Sequence, residues 1–223
     1  FLIEGQAGRD ITHNEALRGL DSLVQLAVLD ATRTAPPASP SEGDRHIVAV
    51  PATGLWAGLE GRVVLWSGGG WIDFTPRAGW AVWVEAEGQT LRHDGTGWRE
   101  ALALGAWGAG TRARVLTAEA AGLSGASVTT GLTIPNRAIV LGVSVRTATE
   151  VTGAASYDAG IAGEVGKFGG SLGVAAGSSN IGIIGPQAFF ADTDVILTAN
   201  GGDFTGGAVR AALHILQFDA PEA

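Results

Sequence analysis

Cysteine is absent from this 223-residue chain, which excludes a disulfide framework, a thiolate nucleophile and a thiolate metal site. Basic residues are few: 14 Lys and Arg stand against 22 Asp and Glu, for a net charge of −8. They are dispersed rather than clustered, so binding nucleic acid by phosphate neutralisation is not expected. Long apolar runs are missing too. Mean hydropathy is positive, yet no stretch approaches the ~18 consecutive apolar residues that read as a membrane span. The first residues carry no signal-peptide pattern. Phe1 is not an initiator, so the numbered chain is expected to begin after processing or after further residues.

Glycine and tryptophan are what the chain has in quantity. The 35 glycines follow no triplet, which rules out collagen and favours a turn-dense β architecture. All seven tryptophans lie between Trp56 and Trp107. Within that stretch a pattern recurs without a gap: Gly61-Arg-Val-Val-Leu-Trp66-Ser-Gly-Gly-Gly-Trp71 and Gly88-Gln-Thr-Leu-Arg-His93-Asp-Gly-Thr-Gly-Trp98. Each copy reads as a strand, a tight turn and a second strand opening on Trp, because Gly and Asp accept the positive φ of such turns.

The resulting expectation is a mainly β fold in three parts: a helical stem over 1–33, a small Trp-rich β-hairpin module over 34–101 and a C-terminal β-sandwich, jelly-roll-like, over 113–223. The stem helix is expected over 12–31. Thr12 and Glu15 have capping-box spacing, and Leu17, Leu20, Val24, Ala27 and Ala31 repeat as the seam of a short coiled coil that also carries His13. A single amphipathic helix docked on its own domain remains the alternative. Gly19 weakens the helix as an isolated unit. Residues 34–43 hold three prolines and read as a linker. Short strands are expected over 46–50, 62–66, 71–74, 80–85, 90–93 and 98–101, with a flexible junction over 102–111. In the last module Ile139, Leu141, Val143 and Val145 are placed on one strand face, and Val209, Ala211, Leu213 and Ile215 on another.

Catalytic signals are sparse, and no catalytic residue, metal ligand or cofactor is assigned. His13, His46, His93 and His214 lack metal-ligand spacing and suit seam or surface positions. The run from Gly160 to Phe168 fails as a phosphate loop at Ile161 and Phe168, which leaves Lys167 a surface residue. Asp158, Glu164, Asp192, Asp194 and Asp203 are the carboxylates a polysaccharide hydrolase could use, but carboxylates in Gly-rich loops usually cap turns. Sugar binding fits the composition better. Sugar C–H faces lie on aromatic rings while polar groups take the hydroxyls. The candidate contacts are Tyr157, Asp158, Phe168, Asn200 and Asp203 in expected loops, with Trp66, Trp71 and Trp98 at the hairpin ends. The repetition of those Trp positions favours a core role, since repeated units repeat their packing.

Three segments together carry a resemblance: Gly5-Gln-Ala-Gly-Arg-Asp-Ile-Thr-His-Asn-Glu-Ala-Leu-Arg-Gly-Leu-Asp-Ser-Leu-Val-Gln-Leu26, Ala35-Pro-Pro-Ala-Ser-Pro-Ser-Glu-Gly-Asp-Arg-His-Ile-Val48, and Gly79-Trp80 with Asp94-Gly-Thr-Gly-Trp98. Over roughly residues 5–100 the chain resembles a family of uncharacterised proteins of alphaproteobacterial prophages and gene transfer agents, whose members look like tail-fibre or head-spike components. Ile134-Pro-Asn-Arg137 and Lys167-Phe-Gly-Gly-Ser-Leu-Gly173 are similar to the distal sandwiches of such fibres.

The resemblance implies a non-enzymatic structural protein on the surface of a virion or phage-like particle, extracellular after release, with other particle proteins as partners. Its implied target is a host cell-surface or capsular polysaccharide. Fibres imply a homotrimer with Leu17, Leu20, Val24 and Ala27 on the axis; a pentamer or a symmetry mismatch stays open. A capsule depolymerase, as hydrolase or lyase, and a purely architectural particle protein are the alternatives.

Overall fold

The computed structural model describes residues 7–222; the side chains of residues 9–12 and 15 fall outside the description. The expected Thr12–Glu15 capping pair therefore lies outside the described side chains. The chain divides into two compact units, residues 1–104 and 105–223, each mainly β.

The first unit opens with α1 (Arg9–Leu23). The helix starts three residues before Thr12 and stops eight before Ala31. Its end is set by Gln25, whose φ of 49° departs from the helix, and by the apolar run that follows. Leu26 and Val28 are buried, and β1 (Ala27–Val28) pairs in parallel with β5 (Ala81–Val84). Core burial of two aliphatic side chains outweighs the small gain from extending an exposed helix. Ala27 thus belongs to a strand, not to the helical seam. Gly19 faces Phe74: a Cβ there would lie 3.9 Å from the ring.

Two small sheets follow. One runs β2-β3-β4 (Arg45–Ile47, Val63–Ser67, Gly70–Phe74), the other β1-β5-β6-β7, with β6 at Gln89–His93 and β7 at Trp98–Glu100. The repeat is real in three dimensions. Trp66 pairs with Trp71 across the first hairpin and His93 with Trp98 across the second, at equivalent positions. Each turn is held by a carboxylate. Glu42 accepts from Ser67 Oγ at 2.6 Å and from Gly68 N at 3.0 Å; Asp94 accepts from Thr96 N at 2.7 Å and Gly97 N at 2.8 Å. The segment expected as a linker is fastened to this unit, since Gly43 N donates to Trp66 O and Thr53 N to Thr34 O.

After β8 (Ala103–Leu104), the second unit contains eight strands: β9 (Gly110–Ala121), β10 (Ser127–Ile134), β11 (Ile139–Thr152), β12 (Ser156–Ile161), β13 (Glu164–Leu172), β14 (Ser179–Ala188), β15 (Thr193–Asn200) and β16 (Gly206–Phe218). The long strands of one sheet run β14-β11-β16-β9, and the other sheet runs β10-β15-β12-β13. Antiparallel pairs are nested: β9 with β16, β10 with β15, β11 with β14 and β12 with β13. That is the connectivity of a jelly roll, one long hairpin rolled into two sheets. Its core lies between them, built from Val140, Val143, Tyr157, Phe168, Leu197 and Leu213 among others. The expected face of Val209, Ala211, Leu213 and Ile215 is the buried one. In β11 the phase changes: Val140, Val143 and Val145 point inward while Leu141 is outside. The reason is a bulge between Val140 and Gly142, which puts one extra residue in the ladder and reverses the alternation beyond it.

Candidate functional site

The outer face of the β14-β11-β16-β9 sheet carries an open depression. Strand register orders its side chains in rows. Glu119, Arg210, Arg146 and Ser179 form one, Thr117, Ala212, Ser144 and Ile181 the next, and Val115, His214, Gly142 and Ile183 the third. Small residues at the centre of the second row, Ala212 and Ser144, leave a trough beside the first row that crosses all four strands. Its volume is about 600 Å3, and it is lined by Thr117, Glu119, Ser144, Arg146, Ile181 and Arg210 among others.

Charge in the trough is uneven. Arg146 and Arg210 stand directly opposite each other across β11 and β16, an unfavourable placement for like charges. Arg210 is neutralised, its Nε donating to Glu119 Oε2 at 2.6 Å. Arg146 is exposed and has no ion pair among the described residues. Ser144 Oγ and His214 Nε2 are hydrogen-bonded at 3.3 Å, and Ile181 and Ile183 are 76% and 78% exposed. The arrangement offers one uncompensated guanidinium, hydroxyls and an apolar flank to a ligand lying across the strands. The sequence reading assigned none of these positions. The Val209 to Ile215 alternation does place Arg210, Ala212 and His214 on the opposite face, but which faces are open depends on sheet order.

The residues expected in sugar-binding loops are elsewhere. Tyr157 and Phe168 lie inside strands and are buried; the Tyr157 hydroxyl is 3.0 Å from Thr147 Oγ1, and burial pushes its pKa up. Asp158 and Asn200 do come together. Asp158 Oδ1 accepts from Asn200 Nδ2 and from Ser171 N, both at 2.7 Å, a bridge among β12, β13 and β15. Asp203 is exposed in the turn after β15. The remaining carboxylates are engaged locally: Glu164 with Lys167 Nζ at 2.8 Å, Asp192 with Asn136 N at 2.7 Å, and Asp194 with Thr133 Oγ1 at 2.7 Å. Lys167 is not a surface side chain, being only 9% exposed.

In the first unit Trp71 sits in an aromatic nest, 5.0 Å from Trp56 and 5.2 Å from Trp66 between ring centroids, with His46 at 5.9 Å. Trp98 packs edge-on to His93 at 5.1 Å and donates Nε1–H to Gly61 O at 2.8 Å, tying the second hairpin to the start of the first repeat. All three expected Trp positions are half-buried. His46 and His93 are buried, not at a seam or surface. His46 Nδ1 lies 3.1 Å from Asp30 Oδ2, while His46 Nε2 and Trp56 Nε1 are buried without a protein partner. Burial drives the His46 pKa down, against the opposing pull of Asp30. On α1, Leu17 and Leu20 are 49% and 60% exposed, and Val24, the extended residue just past its end, is 57% exposed. Among the described residues no group of His, Cys, Asp and Glu could hold a metal ion, and no helix is long and apolar enough to cross a membrane.

Fold and surface define a two-unit β protein, hairpin module and jelly-roll sandwich. Residues 13–99 match a family described as "Protein of unknown function (DUF2793)". A solved structure, "Cyanophage Pam1 capsid asymmetric unit", is similar over 53% of this chain and 93% of that chain, at 20% identity and a TM-score of 0.37. No curated protein matches.

Proposed function

We propose that the chain is a non-enzymatic surface protein of a phage-like particle that attaches to a cell-surface or capsular polysaccharide. The observation that carries the attachment reading is the trough across β14-β11-β16-β9, where the unpaired Arg146 stands among Ser144, Ser179 and Thr117 beside the exposed Ile181. Such a surface supplies polar groups for hydroxyls and an apolar flank for ring C–H patches. The particle reading is supported by the resemblance of residues 5–100 to prophage and gene-transfer-agent fibre and spike proteins, and by a fold type recurrent in capsid and lectin domains, which is support by analogy. Exposed Leu17 and Leu20 on α1, with Val24 just past its end, support self-association, with a trimer as the expected state.

The test is binding of the labelled full chain to capsulated and acapsular cells, with Arg146→Ala and the trough-filling Ser144→Trp as variants. Binding that needs the capsule and weakens in both variants supports the reading; capsule-independent binding, or none, overturns it. Release of new reducing ends or unsaturated products from purified capsule would replace attachment by depolymerisation. Sedimentation of the wild type and of a Leu17→Glu/Leu20→Glu variant tests the oligomer, which the substitutions are expected to dissociate.

A further inference from the structure

The β5-β6-β7 sheet of the first unit has a second face. Val82, Val84 and Leu91 are buried in the core, so alternation sends Ala81, Trp83, Thr90, Arg92 and Arg99 outward. Trp83 is directly opposite Thr90, Ala81 opposite Arg92, and Arg92 opposite Arg99. Trp83 is 46% exposed and stacks on no other ring among the described residues. Its two strand neighbours, Ala27 on β1 and Thr90 on β6, are small. The indole face is therefore open.

The charge pattern beside it is one-sided. Arg92 and Arg99 are like charges placed opposite each other. Arg99 is held by Asp94, Nε to Oδ2 at 2.5 Å. Arg92 has no ion pair among the described residues, and its Nε is buried with no hydrogen-bond partner. The guanidinium charge is left uncompensated, and a ligand carboxylate at its terminal nitrogens would compensate it. From Trp83 to Arg92 is a diagonal step of about 7–8 Å between backbones, within reach of long side chains.

We propose that this face is a subsite for a carboxylate-bearing sugar, with Trp83 under the C–H face of the ring, Arg92 paired to the carboxylate and the Thr90 hydroxyl meeting a ring hydroxyl. The proposal rests on the polysaccharide-attachment reading and adds a contact in the first unit, separate from the sandwich trough. It differs from a structural account of the Trp cluster in using an indole that the hairpin core does not need. Guanidinium pairing with carboxylate is charge-assisted and gives discrimination against neutral sugars.

Affinity electrophoresis of the full chain in gels containing polygalacturonate, or the same polymer after reduction of its carboxyls, tests it. The wild type is expected to be retarded by the acidic polymer and less by the reduced one. Trp83→Ala should weaken binding to polygalacturonate about tenfold, with Trp83→Phe retaining most of it, and Arg92→Gln should abolish the preference for the acidic polymer while Arg92→Lys partly restores it. Both side chains point outward, so circular dichroism and thermal unfolding should match the wild type in each variant. Wild-type retardation by Trp83→Ala and Arg92→Gln overturns the subsite, as does equal retardation by both polymers or by neither. Binding to capsulated cells that is lost in Arg146→Ala but kept in Trp83→Ala would sink the subsite and leave the attachment reading standing.

Discussion

His46 links chemistry to stability most directly. It is buried against Trp56 and Trp71, and desolvation holds its pKa below the ordinary 6.5 even though Asp30 favours the charged form. A group depressed in the folded state contributes stability that is present above its unfolded pKa and lost as pH falls through the folded one. The first unit should therefore lose thermal stability as pH drops below about 6.5. Differential scanning calorimetry from pH 8 to 5 checks this, and a His46→Gln chain with an undiminished slope would remove His46 as the cause. The sequence did announce the structural use of Trp66, Trp71 and Trp98, because repetition at fixed positions signals repeated packing. It misplaced Tyr157 and Phe168. A lone aromatic among glycines and small residues carries no periodicity, so nothing local distinguished a core strand from a loop.

Elements show where local pattern and tertiary context diverge. The 3–4 spacing from Leu17 to Ala31 runs on past the true end of α1, because Leu26 and Val28 have a buried sheet to join, and no window of sequence contains that sheet. The hairpins were legible nearly to the residue, since Gly-Gly and Asp-Gly turns are chemical requirements. Gly19→Ala should stabilise the first unit by about 1 kcal/mol of helix propensity and so raise its melting temperature. The added methyl meets Phe74 at ordinary contact distance and φ there is not positive. The opposite holds at Gly182 on β14. The place a Cβ would take is occupied by the Phe168 carbonyl of β13, so Gly182→Ala should cost the sandwich several kcal/mol, on the order of the larger single-residue effects. Urea unfolding of both variants distinguishes the two. A neutral Gly182→Ala would mean that β13 and β14 can separate freely.

For the whole molecule, the division at residue 104/105 leaves each unit with its own apolar core. Residues 105–223 alone are expected to give a cooperative unfolding transition and a β-type circular dichroism spectrum; a non-cooperative melt would count against an autonomous sandwich. The β class and the sandwich could be anticipated from alternation and turn spacing. The trough could not, because it exists only where four strands distant in sequence are laid side by side. The same order constrains biosynthesis. β16 is the last strand of the sandwich, yet it lies between β11 and β9. The β14-β11-β16-β9 sheet cannot close until residues 206–218 have left the ribosome, and any product cut short before them lacks the centre of that sheet. Assembly is thereby self-checking, since only chains translated through β16 can present the trough.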